Sequence, residues 1–137
     1  MSDTANETKL IILNSKEKDD LHEALPSEWT TPQHLGQATI YNMKMSPPCC
    51  KIRTIFSWYK VDYKVIEGKK KDSEYKKVPV VVVQNRQIND SFIVVKALAR
   101  ILDGTDLSKE LLEIEEMTTY GLMVALEVDV AGSCNDL

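Results

Sequence analysis

Ser46-Pro47-Pro48-Cys49-Cys50 puts one hydroxyl and two thiols at what reads as the start of a helix. Ser46 suits the cap, and proline is tolerated in a first helical turn because its missing N–H would have no partner there. Such a start presents free N–H groups and partial positive charge, so it favours anions and the thiolate form of a cysteine. Cys49 and Cys50 are therefore either a site of thiol modification or, as free cysteines usually are, small and partly buried. Asn89-Asp90-Ser91 marks a second helix start. There the N–H groups and the Ser91 hydroxyl suit a carboxylate, while Asp90 can pair with an ammonium group. Asp90 and Ser91 can equally serve the helix alone. Val78-Pro79 opens a β-branched run in which Pro79 either shapes the strand start or does more. No metal site is expected: three cysteines, two of them adjacent, and the isolated His22 and His34 have no ligand spacing.

Secondary-structure elements must carry these groups. Ala38 to Met43 is β-prone and stops at Ser46-Pro47-Pro48, after which Ile52, Ile55, Phe56 and Tyr59 follow helical spacing. Val61 to Ile66 alternates apolar and polar residues as a half-buried strand does, and Val78 to Val83 suits a central strand. A short strand is expected around Gln87 and Ile88. The helix that follows has Ile93, Val94, Ala97, Leu98, Ile101 and Leu102 on one face and ends at Gly104. The predicted order is β-α-β, then β-β-α. Beyond it Leu107 to Ala131 reads as one long or two short helices, with Met117, Tyr120, Met123 and Leu126 expected to cover a face of the central unit or of a second subunit.

The 137 residues suit one domain with a single core, and the organisation expected is an extension at 1–37, partly disordered or loosely docked, a central unit at 38–104 and a helical extension at 105–137. Charge follows the same division. Residues 1–37 hold three basic and seven acidic residues, 38–104 thirteen and six, and 105–137 one and eight. A basic centre between acidic ends can attract a small anion, and Lys69, Lys70, Lys71, Lys76 and Lys77 form either a steering loop or a solvated one. A net charge of −4 gives nucleic-acid binding no support. No apolar run approaches the roughly 20 residues of a transmembrane helix, and with neither a secretory h-region nor an Arg-rich presequence the expected location is cytoplasmic.

A strand leading into X-Pro-X-Cys at a helix start, then a Val-Pro strand, a hairpin and an Asp-Ser helix start, resembles the thioredoxin-like domain of glutaredoxins and glutathione transferases. Ile40 to Arg53 is similar to the Y-x-x-K-x-C-P-F-C-x-K-V-R segment of the membrane-associated prostaglandin E synthase 2 family. Lys77-Val78-Pro79-Val80 and Gln87-Ile88-Asn89-Asp90-Ser91 resemble its K-V-P-I and Q-L-N-D-S segments. The resemblance covers residues 38 to 104. It implies an α/β thioredoxin-like fold, a mixed four-stranded sheet flanked by helices with a short helical C-terminal extension, and glutathione as cofactor. In such a site Val78 and a cis Pro79 would pair with the tripeptide backbone, and Asp90 and Ser91 would hold its γ-glutamyl end.

Ser46 stands where the family has its nucleophilic cysteine. A serine hydroxyl neither ionises there nor forms a disulfide, so dithiol chemistry loses its first thiol. Serine at this position instead resembles theta and zeta glutathione transferases, in which the hydroxyl stabilises the thiolate of glutathione itself. The function expected is glutathione transferase or prostaglandin E synthase-like isomerase chemistry, with Ser46 as activator and Cys49 as the remaining thiol. The alternatives are a non-catalytic thioredoxin-fold module that binds a protein partner through its Val78 to Val83 edge or its apolar C-terminal helix, and a redox-responsive protein acting through Cys49; a homodimer through the C-terminal helix is also expected as a partner arrangement. The family's helical domain supplies most of the pocket for a lipid or electrophilic substrate. Here 33 residues follow Gly104, so that pocket is expected to be shallow, shared with a partner chain or absent.

Overall fold

Leu13, Ile40, Val81 and Ile88, from four different strands, meet the apolar faces of two helices in one buried cluster. The computed structural model describes residues 9–14 and 25–122. Its elements run β1 (Ile11–Leu13), a 3₁₀ turn at Pro32–Leu35, β2 (Ala38–Asn42), α1 (Pro47–Trp58), β3 (Tyr63–Glu67), β4 (Val80–Val83), β5 (Arg86–Asn89), α2 (Ser91–Asp103), α3 (Lys109–Met117) and a π turn at Thr118–Leu122. The sheet order is β1-β5-β4-β2-β3. Strands β2 and β3 are parallel, β2, β4 and β5 alternate in direction, and β1 lies parallel to β5.

The local signals act as their chemistry requires. Ser46 caps α1, and Cys49, Ile52 and Phe56 fall on one helical face and are buried. Asp90 caps α2, which ends at Gly104 in the left-handed region (φ 80°), where the Gly104 N–H donates to the Arg100 carbonyl. In β4, Val80, Val81 and Val83 are fully buried, as a central strand covered on both faces requires.

Two expectations change. The sheet has five strands rather than four, because Ile11 to Leu13 takes the free edge of β5, with the Ile11 N–H donating to the Asn85 carbonyl at 2.9 Å. The segment read as an extension thus contributes Leu13, Leu25, Trp29 and Leu35 to the core. Gln84 ties it further by donating to the His34 carbonyl at 2.8 Å, and the Arg86 guanidinium lies over Trp29, 4.9 Å from its ring centre. Strand β3 starts two residues later than expected and is largely exposed, since it is an outer strand of the sheet, while Val61 is buried just before it.

The C-terminal segment docks by polar contacts more than by its apolar stripe. Leu111, Ile114 and Met117 are exposed, and Leu112 packs on the core. Lys51 of α1 pairs with Glu115 and donates to the Thr119 hydroxyl at 2.9 Å. The Tyr120 ring packs against Phe92, with ring centres 5.7 Å apart, while staying partly exposed, whereas Met123 and Leu126 lie outside the described residues. Among the described residues no helix is long and apolar enough to cross a membrane.

Candidate functional site

Three chain turns converge where β4 begins. The Val78-Pro79 peptide is cis, and Val78 lies beside the first turn of α1 and the start of α2. Around this point a cavity of about 150 Å³ is lined by Pro48, Val78, Pro79, Asp90 and Ser91, with Tyr75 and Lys77 from the lysine-rich loop and Thr119 and Tyr120 from the π turn. Four residues singled out from the sequence, Val78, Pro79, Asp90 and Ser91, therefore share one cavity. Ser46 and Cys49 do not line it, although Pro48 of the same turn does.

Ser46 accepts a long hydrogen bond from the Cys49 N–H, 3.5 Å, through its side-chain oxygen. That contact uses a lone pair and leaves the hydroxyl proton free to be donated elsewhere. Cys49 is fully buried beneath the first turn of α1, so a ligand in the cavity meets no thiol from it; Cys50 is exposed. The bland expectation for Cys49, a small core residue, matches this placement. Arg53 donates to the Asn42 side-chain oxygen, and Asn42 in turn donates to Glu67 at 2.6 Å. It therefore braces the β2 end against α1.

Asp90 and Lys77 are the charged residues that line the cavity. The φ of 78° at Asp90, with ψ of 134°, lies outside the left-handed helical region, in positive-φ space that residues with a Cβ rarely adopt, and such strained conformations gather at functional sites. One carboxylate oxygen accepts the Phe92 N–H at 2.8 Å, and Asp90 and Tyr120 both line the cavity. Burial, chiefly, and the nearby Asp90 charge push the Tyr75 phenol up to about 12. Burial first, then Asp90, Tyr75 and Glu116, push Tyr120 well above the ordinary phenol range.

Of the five loop lysines, Lys77 alone lines the cavity. Lys70 is buried and pairs with Asp72 at 2.5 Å, holding that carboxyl below its usual range, while Lys76 donates to the Lys71 carbonyl. Tyr75 and Thr119 were not anticipated from the sequence as site residues, and Tyr120 was anticipated only as apolar cover. No local pattern distinguishes a phenol that will meet a carboxylate 30 positions away.

An alkaline limit follows from the two phenols. A tyrosine whose pKa is raised by folding contributes stability that is fully present below its unfolded value, about pH 10, and is lost as pH rises through the folded value. Urea midpoints should therefore hold steady to about pH 9.5 and fall between about pH 10 and 12, and Tyr75→Phe should lessen that fall. Parallel pH curves for the two proteins would show that Tyr75 ionises freely.

Over 94 residues the chain is 33% identical to prostaglandin E synthase 2 of Mus musculus, a match covering 61% of this chain and 23% of the relative. Over 75 residues it is 31% identical to prostaglandin E synthase 2 of Danio rerio, covering 50% of this chain and 20% of that protein. The aligned part is thus less than a quarter of either relative. No protein-family profile and no solved structure matches the chain. The two similarities support a distant thioredoxin-like relationship.

Proposed function

We propose that this chain is a thioredoxin-like glutathione-binding protein that uses the thiolate of bound glutathione in transferase chemistry. The observation that carries this reading is the convergence of Val78, cis Pro79, Asp90 and Ser91 on one cavity beside the first turn of α1. On this reading the backbone at Val78 pairs with the tripeptide, Asp90 takes its ammonium group and the N–H groups at the start of α2 take the γ-glutamyl carboxylate. Ser46, at the start of α1, donates a hydrogen bond through its hydroxyl to the glutathione sulfur and so favours its thiolate. The thiol proton passes to solvent, the thiolate pair forms a carbon–sulfur bond with an electrophile, and the leaving group departs with its bonding pair. The same thiolate would serve a prostaglandin synthase-like isomerisation.

Calorimetric titration with glutathione tests the binding step. Saturable binding of about millimolar strength or tighter is expected, and N-acetylglutathione, which lacks the ammonium group, should bind markedly more weakly. Absence of saturable heat would remove the proposal.

Ser46→Ala tests the chemical step. One hydrogen bond to a charged acceptor contributes about 1.5–3 kcal/mol, or about one to two pKa units. The pH profile for conjugation of 1-chloro-2,4-dinitrobenzene should shift upward by that amount. Because Ser46 also caps α1, the variant's melting temperature must be measured with it. Superimposable profiles would mean that Ser46 does nothing beyond capping.

A further inference from the structure

Gln87 and Asn89 are buried on the face of β5 opposite Ile88, so they point away from the main core. Residues 68–79, which join β3 to β4 without a helix, bring Ser73 onto this face. The Gln87 side-chain nitrogen donates to the Ser73 hydroxyl and to the Asn89 side-chain oxygen, at 2.8 Å each. A primary amide has two donor hydrogens and an acceptor oxygen, so each of the two amides has one polar atom left over. Among the described residues, Gln87 Oε1 and Asn89 Nδ2 make no hydrogen bond, although their residues are only 1% and 3% exposed. No unpartnered polar side-chain atom among the described residues is sealed from solvent, so both atoms reach an accessible space. That space is an open cavity of about 440 Å³, which Gln87 and Asn89 line together with Leu10, Ile12 and Tyr75.

We propose that this cavity is a second binding site, for a small uncharged molecule that carries a lactam or carboxamide edge on a flat apolar body. The Gln87 oxygen accepts the ligand's N–H and the Asn89 nitrogen donates to its carbonyl, so the two amides read the edge as a pair. If both amides are turned over, Ser73 donates to Gln87 and the pair is again one donor and one acceptor. Ser73 and the bond between the amides hold the pair in place before a ligand arrives. A ligand lacking half of the edge leaves a buried amide unpaired, which costs far more than losing apolar contact. Exposed Leu10 and Ile12 supply the apolar surface, and the Tyr75 ring a flat one. The charged lining residues, Asp72 and Glu74, are both acidic, so a carboxylate in place of the carboxamide is repelled. The site stands apart from the glutathione reading, since Tyr75 alone lines both cavities.

Nicotinamide, an exocyclic carboxamide, and uridine, a ring lactam, are the probes, titrated separately into the isotope-labelled full chain. The side-chain amide NMR signals of Gln87 and Asn89 should move and saturate within about 10 mM of at least one probe, and which one it is identifies the edge. Nicotinate and 3-methyluridine, which lack the amide and the N–H, should bind at least about tenfold more weakly than the parent that binds. Gln87→Met is close in volume but has no acceptor oxygen, and it should weaken binding by about tenfold or more. Because it also breaks the contacts to Ser73 and Asn89, its melting temperature is measured alongside. Ile12→Trp, at an exposed position on the cavity wall, leaves that network intact and should abolish the shifts by filling the space. Signals that stay still with both probes would mean that the amides hold water only, and would overturn the proposal. So would nicotinate or 3-methyluridine binding as well as its parent, undiminished binding by Ile12→Trp, or shifts confined to Val78 and Cys49.

Discussion

Asp90→Ala is expected to weaken glutathione binding by roughly tenfold to more than a hundredfold, because a hydrogen bond to a charged group contributes about 1.5–3 kcal/mol. The same substitution removes the α2 cap, an oxygen 2.8 Å from the Phe92 nitrogen, at a cost of about 0.5–2 kcal/mol in stability. It also leaves alanine at a positive φ that residues with a Cβ rarely adopt. Weak binding by this variant alone would be ambiguous. Asp90→Asn separates the effects, since its side-chain oxygen still caps α2 and asparagine tolerates positive φ, but the charge is gone. The Asn variant should melt within a few degrees of wild type and still lose most of its glutathione affinity. Calorimetry beside thermal melts gives both numbers, and an Asn variant with wild-type affinity would exclude Asp90 from ammonium recognition.

Trp29→Ala is expected to destabilise the protein by about 3–5 kcal/mol, the range for deleting a buried aromatic side chain. Trp29 is 8% exposed, belongs to the same buried cluster as Leu13, Leu25 and Leu35, and lies under the Arg86 guanidinium. A domain of this size is stable by only about 5–15 kcal/mol, so the variant loses at least about a fifth of that margin and should melt well below wild type. Trp58, 79% exposed, is the internal comparison, and Trp58→Ala should change stability by no more than about 0.5 kcal/mol. Urea unfolding followed by circular dichroism checks both. Equal stability of the two variants would mean that the segment around Trp29 is not part of the cooperative fold.

The two kinds of information in this chain divide by range. Helices α1 and α2, their caps at Ser46 and Asp90, the Gly104 stop and the β4 run could be read directly, because each depends on neighbours within a few residues. The inward position of Cys49 is also local in origin: it shares a helical face with Ile52 and Phe56, three and seven residues on, and that face packs on the sheet. The cavity was partly legible, since Val78, Pro79, Asp90 and Ser91 stand at element starts that a β-α-β-β-α order brings to one end of the sheet. Strand β1 was not. Four apolar residues, Leu10 to Leu13, carry no period long enough to identify a strand, and only the open edge of β5, more than 70 positions away, gives Ile11 and Leu13 partners. Trp29 likewise has nothing to bury against until Arg86 and the α2 face are in place. Tyr120 is the clearest case. Its helical spacing marks it as apolar cover, but its ring packs on Phe92 and helps wall the cavity that Asp90 lines, next to Thr119, which Lys51 ties to α1. Caps and periodicity are set by local hydrogen bonding and helix geometry, whereas which side chains come to line one cavity depends on how distant segments pack, and that is decided by the tertiary structure.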